Sequence, residues 1–317
     1  MKKKTLVFIA PINKWGTYFY YEWITQYLQE HYWEQFTIIF VHSLKEYLLW
    51  HFKKADIIFS IVPFFFKPIG AKKYIFNLHG NYKIERKNKG LGVKLMYLTE
   101  FNLRFSDQIM LVSYYLADKL WFRKKYKNKI SIAPNYILID DFFYPQRKFD
   151  SETYNILTVT SFKFYEKGKW ILNLQRVINR LAKKTSKKIS WTIVGNQDNA
   201  IFNEIKKEFD TIIVDINVKI DFVGWKEREE IIQLYKTNDY FLYRTELDNY
   251  PWVVLEAIVS WMKVFVNDFE SFQYFIDQSI IAKDEKEMLE KILIKDYENQ
   301  TKVYSLAGVI KEILKSI

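Results

Sequence analysis

Short apolar runs alternate with longer amphipathic segments along the whole chain. TLVFIA (5–10) precedes a helical pattern through Tyr18–His31, then come FTIIFV (36–41) and a helix near Leu44–Lys54. ADIIFSIV (55–62), KYIFNLHG (73–80), a basic segment and a helix through Leu91–Ser106 follow. QIMLVS (108–113), a helix to Tyr126 and KISIAPN (129–135) complete the first half. Runs that are apolar at every position, separated by helices, predict strands of a parallel sheet covered on both faces. The expected fold class is α/β, with a doubly wound, Rossmann-like sheet.

The second half begins the pattern again. YNILTVTSF (154–162) leads to a helix from Trp170 to Lys184, then SWTIVGN (190–196) and a helix near Ala200–Phe209. KIDFVGW (219–225) leads to Glu229–Thr237, and YFLYRT (240–245) to a helix beginning near Pro251. KVFVND (263–268), a short helix at Phe272–Asp277 and an amphipathic helix near Val303–Ser316 end the chain. The polar stretch Asp140–Glu152 reads as a linker. We therefore expect two tandem domains, 1–145 and 146–302, with residues 303–317 completing the first. A ligand cleft between them, at the carboxyl ends of both sheets, is the expectation for such a pair.

Composition narrows the function classes. At 317 residues the chain fits two cores of about 150 residues each. It has no cysteine, which excludes disulfides, thiolate metal sites and cysteine nucleophiles. The apolar run Leu6–Ile12 is short, contains Pro11 and lacks a small-residue cleavage site, so it reads as a first strand and not as a signal peptide. Ile57–Phe66 is half the length a membrane span needs. The expected location is cytoplasmic, either soluble or peripheral on the inner membrane face. Residues 1–150 hold 24 Lys and Arg against 12 Asp and Glu, a net of +12, while the remainder is close to neutral. Such a field attracts anionic partners or is simply a solvated lysine-rich surface. His31, His42, His51 and His79 are too dispersed for a metal site, so no metal is expected. No nucleic-acid motif accompanies the basic half, and nucleic acid is not an expected partner.

The sharpest chemical segment is Thr245–Ala257, between the strand YFLYR and a helix with Pro251 in its first turn. Asp248 and Asn249 are placed to cap that helix, whose free N–H groups and positive dipole end favour anions. Glu256, five residues past Pro251, offers a carboxylate that accepts two hydrogen bonds and suits a vicinal diol such as ribose. Asp248 can do the same for a sugar hydroxyl. Spacing alone also fits a plain cap and a surface glutamate.

The string D-N-Y-P-x4-E-A resembles the E-x7-E donor signature of the retaining GT-B glycosyltransferases of family 4. ILTVTSFKFYEKGKW (156–170) is similar to that family's G-R-x3-E-K-G strand end, with Lys167-Gly168 as K-G and Ser161-Phe162 in place of Gly-Arg. WTIVGN and IDFVGWKEREEIIQLYKTNDYFLYRT resemble the next two stretches. VSYYLADKL (112–120) and APNYILIDDFF (133–143) resemble the family's closing elements of the first domain, with Tyr136 in place of a glycine. After Glu256 the pattern departs: Trp261 stands where glycine is usual, and Asp268–Ser271 lacks the expected Gly pair.

The resemblance implies a GT-B fold and metal-independent transfer of a hexose from a UDP- or GDP-sugar, with retention, in cell-surface polysaccharide synthesis. Asp248 and His79 would meet the donor sugar, as the catalytic pair, and Glu256 the ribose. Gly16, Lys163, Lys167, Gly195, Trp225, Asn249, Tyr250 and Pro251 would complete the donor site. No cofactor is implied beyond the nucleotide-sugar co-substrate. The implied acceptor is a glycan or lipid-linked sugar. From its charge and aromatics, the first domain is further expected to dock on an anionic membrane surface through Lys83–Lys94 and Trp121–Lys129, to reach a polyprenyl-phosphate acceptor. A catalytically weak scaffold subunit of a glycosyltransferase complex is the alternative, favoured by Phe162 and the missing glycines.

Overall fold

The computed structural model describes residues 3–11, 16–80, 93–119, 122–142, 149, 152–163, 165–294, 301 and 303–317. The chain divides into two compact units, Met1–Tyr136 with Tyr304–Ile317, and Ile137–Val303.

The first unit contains β1 (Lys4–Ile9), α1 (Gly16–Tyr32), β2 (Phe36–Val41), α2 (Leu44–Leu49), β3 (Ala55–Ser60) and β4 (Ala71–Leu78). It continues with α3 (Val93–Phe105), β5 (Gln108–Leu111), α4 (Tyr114–Lys119), α5 (Phe122–Tyr126) and β6 (Ile130–Ile132). The described strands form a six-stranded parallel sheet in the order β2-β1-β3-β4-β5-β6. Leu6, Val7, Phe8 and Ile9 are fully buried in succession, as a strand covered on both faces requires. Each such side chain stabilises by roughly 1.5–3 kcal/mol on burial.

The second unit contains α6 (Ile139–Phe142), β7 (Thr153–Val159), α7 (Tyr165–Gly168), α8 (Ile171–Ala182), β8 (Lys188–Val194), α9 (Ala200–Phe209) and β9 (Val218–Phe222). Next are α10 (Arg228–Thr237), β10 (Tyr240–Tyr243), α11 (Trp252–Val259), β11 (Lys263–Asn267), β12 (Ile281–Ala282) and α12 (Glu285–Leu293). Its parallel sheet runs β12-β11-β10-β7-β8-β9. The core lies around Trp191, Phe162, Phe202 and the buried stripe of α8.

Residues 137–142, assigned from the sequence to the first domain, stand with the second unit. Phe142 meets Tyr235 edge-on at 5.7 Å, and Arg228 holds Asp141 at 2.7 Å. The last helix, α13 (Leu306–Leu314), returns to the first unit, where the Ser316 carbonyl accepts a hydrogen bond from Lys73 at 2.5 Å. Residues 143–148, 150 and 151 of the expected linker lie outside the described residues.

In each sheet one pair of neighbours marks where the winding reverses, β1 beside β3 and β7 beside β10. Loops leaving the carboxyl ends of such strands diverge and leave a crevice, the usual ligand position in doubly wound sheets.

Candidate active site

In the second unit the reversal point brings together the loop after β7 and the loop after β10. Lys167, on the short helix α7, pairs its ammonium with one carboxylate oxygen of Asp248. The Tyr243 hydroxyl, at the end of β10, donates to the other oxygen. Lys167 and Asp248 are largely shielded, with side chains 21% and 18% exposed. Two residues proposed from separate motifs are thus in direct contact.

The Asp248 loop is pinned from three sides. The Thr245 hydroxyl accepts the N–H groups of Leu247 at 3.1 Å and Asp248 at 3.3 Å. Asn267, at the end of β11, exchanges two 2.9 Å hydrogen bonds with the Thr245 backbone. Ser271 donates to the Asp248 carbonyl at 2.8 Å, so the Asp268–Ser271 turn secures the loop through a side chain. The expectation that Asp248 and Asn249 cap the next helix is corrected. Pro251 occupies the N-cap position with no side-chain cap, and Trp252 is the first helical residue. Asp248 stands too far ahead of the first turn, and its carboxylate is engaged by Lys167 and Tyr243. Asn249 is buried, with Oδ1 unbonded, and Tyr250 stacks on Phe275 at 4.1 Å.

Glu256 lies on α11, and its Oε2 is 3.0 Å from the Tyr235 hydroxyl. Burial raises the Glu256 pKa, while the Tyr235 hydrogen bond and the Arg228 charge oppose that shift. Desolvation strengthens any hydrogen bond this carboxylate makes to a ligand hydroxyl.

Gly195, just after β8, donates to the Gly224 carbonyl at 3.0 Å, and Gly224 itself has φ +75°. A Cβ on Gly195 would stand 2.6 Å from the Thr160 carbonyl oxygen and 2.8 Å from the Phe162 ring. Trp225 follows, 69% exposed. Phe162 is fully buried against Phe202 and Phe222, so the position where the resemblance expects arginine carries core packing. Lys163 beside it is exposed.

Sequence reasoning missed Arg244, the residue after β10. Its guanidinium lies 4.6 Å from the centre of the Trp170 ring, and it borders a narrow crevice shared by Thr158, Thr160, Lys167 and Tyr243 with the apolar Ile171 and Leu174. An arginine following an apolar strand reads as an ordinary solvated residue. The only sequence signal was its place one residue beyond a strand at the reversal point.

In the first unit α1 begins at Gly16, the loop glycine after β1. His79 follows β4 with its ring edge-on to Tyr20 at 4.6 Å, and its Nε2 is buried without a hydrogen-bond partner. Burial depresses its pKa to about 3, so the imidazole is neutral at physiological pH. Tyr136 is buried and donates to the Tyr20 carbonyl at 2.7 Å, tying the end of this unit to α1. Among the described residues no group of three or more His, Asp or Glu could hold a metal ion. No described helix is long and apolar enough to cross a membrane.

Two parallel six-stranded sheets with flanking helices match the fold of the GT-B glycosyltransferases. The chain is similar to Anabaena Alr3699/HepE in complex with UDP, with TM-score 0.69 and 12% identity over 99% of this chain and 100% of that one. It also resembles TarM, with TM-score 0.58 and 14% identity over 82% of this chain, and spans 54% of TarM's length. A trehalose-6-phosphate protein from E. coli bound with UDP-2-fluoro glucose matches with TM-score 0.57 and 14% identity, over 93% of this chain and 79% of that one. The sequence matches no protein-family profile and no curated protein.

Proposed function

We propose that the chain is a glycosyltransferase that moves a hexose from a UDP- or GDP-sugar to a glycan or lipid-linked acceptor, with retention of anomeric configuration. The observation that carries this reading is the Lys167–Asp248–Tyr243 cluster just ahead of the half-buried Glu256, at the reversal point of a sheet. Glu256 accepts hydrogen bonds from the ribose hydroxyls, and Asp248 orients a hydroxyl of the transferring sugar. Lys167 stabilises charge developing on the leaving diphosphate. His79, neutral, offers a hydrogen-bonding group and not a cation. The HepE and E. coli structures, bound with UDP-glucose and with UDP-2-fluoro glucose, support the choice of donor class.

The acceptor reading places the first unit on an anionic bilayer. Residues 83–92 and Trp121 of the expected contacts lie outside the described residues. Support comes instead from the exposed Phe52, Phe65, Phe66 and Ile69, with the exposed Lys53 and Lys54 next to Phe52 in the chain. Apolar side chains rimmed by lysines complement the acyl boundary and headgroups of an anionic leaflet.

The donor reading is tested by thermal shift of the purified chain with UDP, GDP, ADP, CMP and their sugars. A ligand at 100 times its Kd stabilises by about 2.7 kcal/mol. One nucleotide class should stabilise the wild type, and Glu256→Ala should lose that stabilisation. No shift with any nucleotide would favour the scaffold alternative, to which the buried Phe162 already lends weight.

A further inference from the structure

We infer that Arg244 is the main anion contact of the second unit and grips the diphosphate of the bound nucleotide through its guanidinium fork. The inference rests on the donor-site reading above. It starts from an imbalance of charge. Lys167 is neutralised within the chain by Asp248, and Lys169 lies 3.8 Å from Glu246. Arg244 has no such partner: no hydrogen bond or ion pair reaches it among the described residues, and its Nε is buried and unbonded.

The acids nearest in electrostatic terms are committed elsewhere. Glu285 accepts from Asn173 at 2.8 Å and pairs with Arg180 at 3.3 Å and Arg176 at 3.8 Å. Asp284 caps α12 through the Glu287 N–H. Burial lowers the pKa of Arg244, and Glu285, Glu246 and Asp284 only partly offset it. A half-buried cation left in this state is costly unless an anion completes it.

Its surroundings suit phosphoryl oxygens. The Trp170 ring packs against the guanidinium at 4.6 Å, and Lys167 borders the same crevice. A planar fork beside a second cation is the arrangement that binds phosphate bidentately. Arg244 thus supplies, from the end of β10, a cation that Phe162 cannot supply from the end of β7.

The test is calorimetric titration of wild type, Arg244→Gln and Arg244→Lys with UDP and GDP, and with uridine and guanosine, which lack phosphate. Arg244→Gln should weaken the nucleoside diphosphate that wild type binds by roughly tenfold to a hundredfold. Arg244→Lys should fall between, and nucleoside affinity should not change. The melting temperature without ligand should change little, because no ion pair is broken and only the contact with the Trp170 ring is lost. Equal diphosphate binding by wild type and Arg244→Gln overturns this inference and leaves the donor reading standing. A lower melting temperature with loss of nucleoside binding as well assigns Arg244 a structural role and overturns it too. Wild type binding no nucleotide overturns the donor reading and this inference together.

Discussion

Asp248 has two oxygens and, when ionised, about four acceptor positions. Lys167 and Tyr243 take one on each oxygen, so the carboxylate is held in one orientation with acceptor capacity left for a sugar hydroxyl. Its charge is already balanced, which keeps it from repelling an incoming diphosphate. His79 is held by burial alone, and this gives a pH signature. Its folded pKa of about 3 lies below the ordinary value of 6.5, so only the unfolded chain takes up the proton between those values. The stability contributed by neutral His79 is complete above about pH 6.5 and is lost as pH falls toward 3. Urea unfolding at pH 7, 5 and 4 should show wild type losing more stability than His79→Asn; parallel losses would contradict it. The sequence made Asp248, Glu256 and Lys167 legible because their spacing from strand ends and a proline is local. Arg244 was not legible, because what distinguishes it is the absence of an ion-pair or hydrogen-bond partner among the described residues, which only the tertiary structure reveals.

The end of α11 shows how an element absorbs a residue its backbone disfavours. Trp261 sits at φ +59°, donating to the Ile258 carbonyl at 3.0 Å, while the Met262 N–H reaches Ala257 at 3.1 Å. These two bonds form a Schellman motif, whose left-handed position normally takes glycine. The tryptophan therefore preserves the turn and carries the strain. Trp261→Gly and Trp261→Ala both lose the ring, so their difference isolates the backbone. In urea unfolding the glycine variant should be more stable by about 1 kcal/mol, the reverse of the order inside a helix. Alanine equal to or better than glycine would contradict the assignment. The strands were legible as unbroken apolar runs, but the start of α11 was not. Asp248-Asn249 ahead of Pro251 looks like a capping signal, yet the helix begins only at Trp252, and the loop's hydrogen bonds come from Thr245, Asn267 and Ser271. Phe162 was legible as a missing cation. Its packing over Gly168 and Gly195, where a Cβ would approach its ring to 2.8 Å, is a tertiary fact.

For the molecule as a whole, the two-fold recurrence of strand and helix was visible from the repeated apolar pattern, and both sheets formed as parallel, doubly wound layers. Charge is distributed unevenly over that frame, with a net of +12 in residues 1–150. Lysines near an anionic leaflet contribute about 1 kcal/mol each, and this attraction is screened by salt. In flotation, anionic liposomes should recover more protein than neutral ones, and Phe65→Ser with Ile69→Ser should reduce that recovery. Equal recovery from both liposomes would sink the docking proposal. The central claim is that the second unit takes a nucleotide sugar, and the thermal-shift comparison of wild type with Glu256→Ala tests it most directly. The account predicts that UDP or GDP and the matching sugar stabilise wild type by about 2.7 kcal/mol at 100 times Kd, and that Glu256→Ala loses this shift. No shift of the wild type with any nucleotide, or an equal shift in Glu256→Ala, would contradict it.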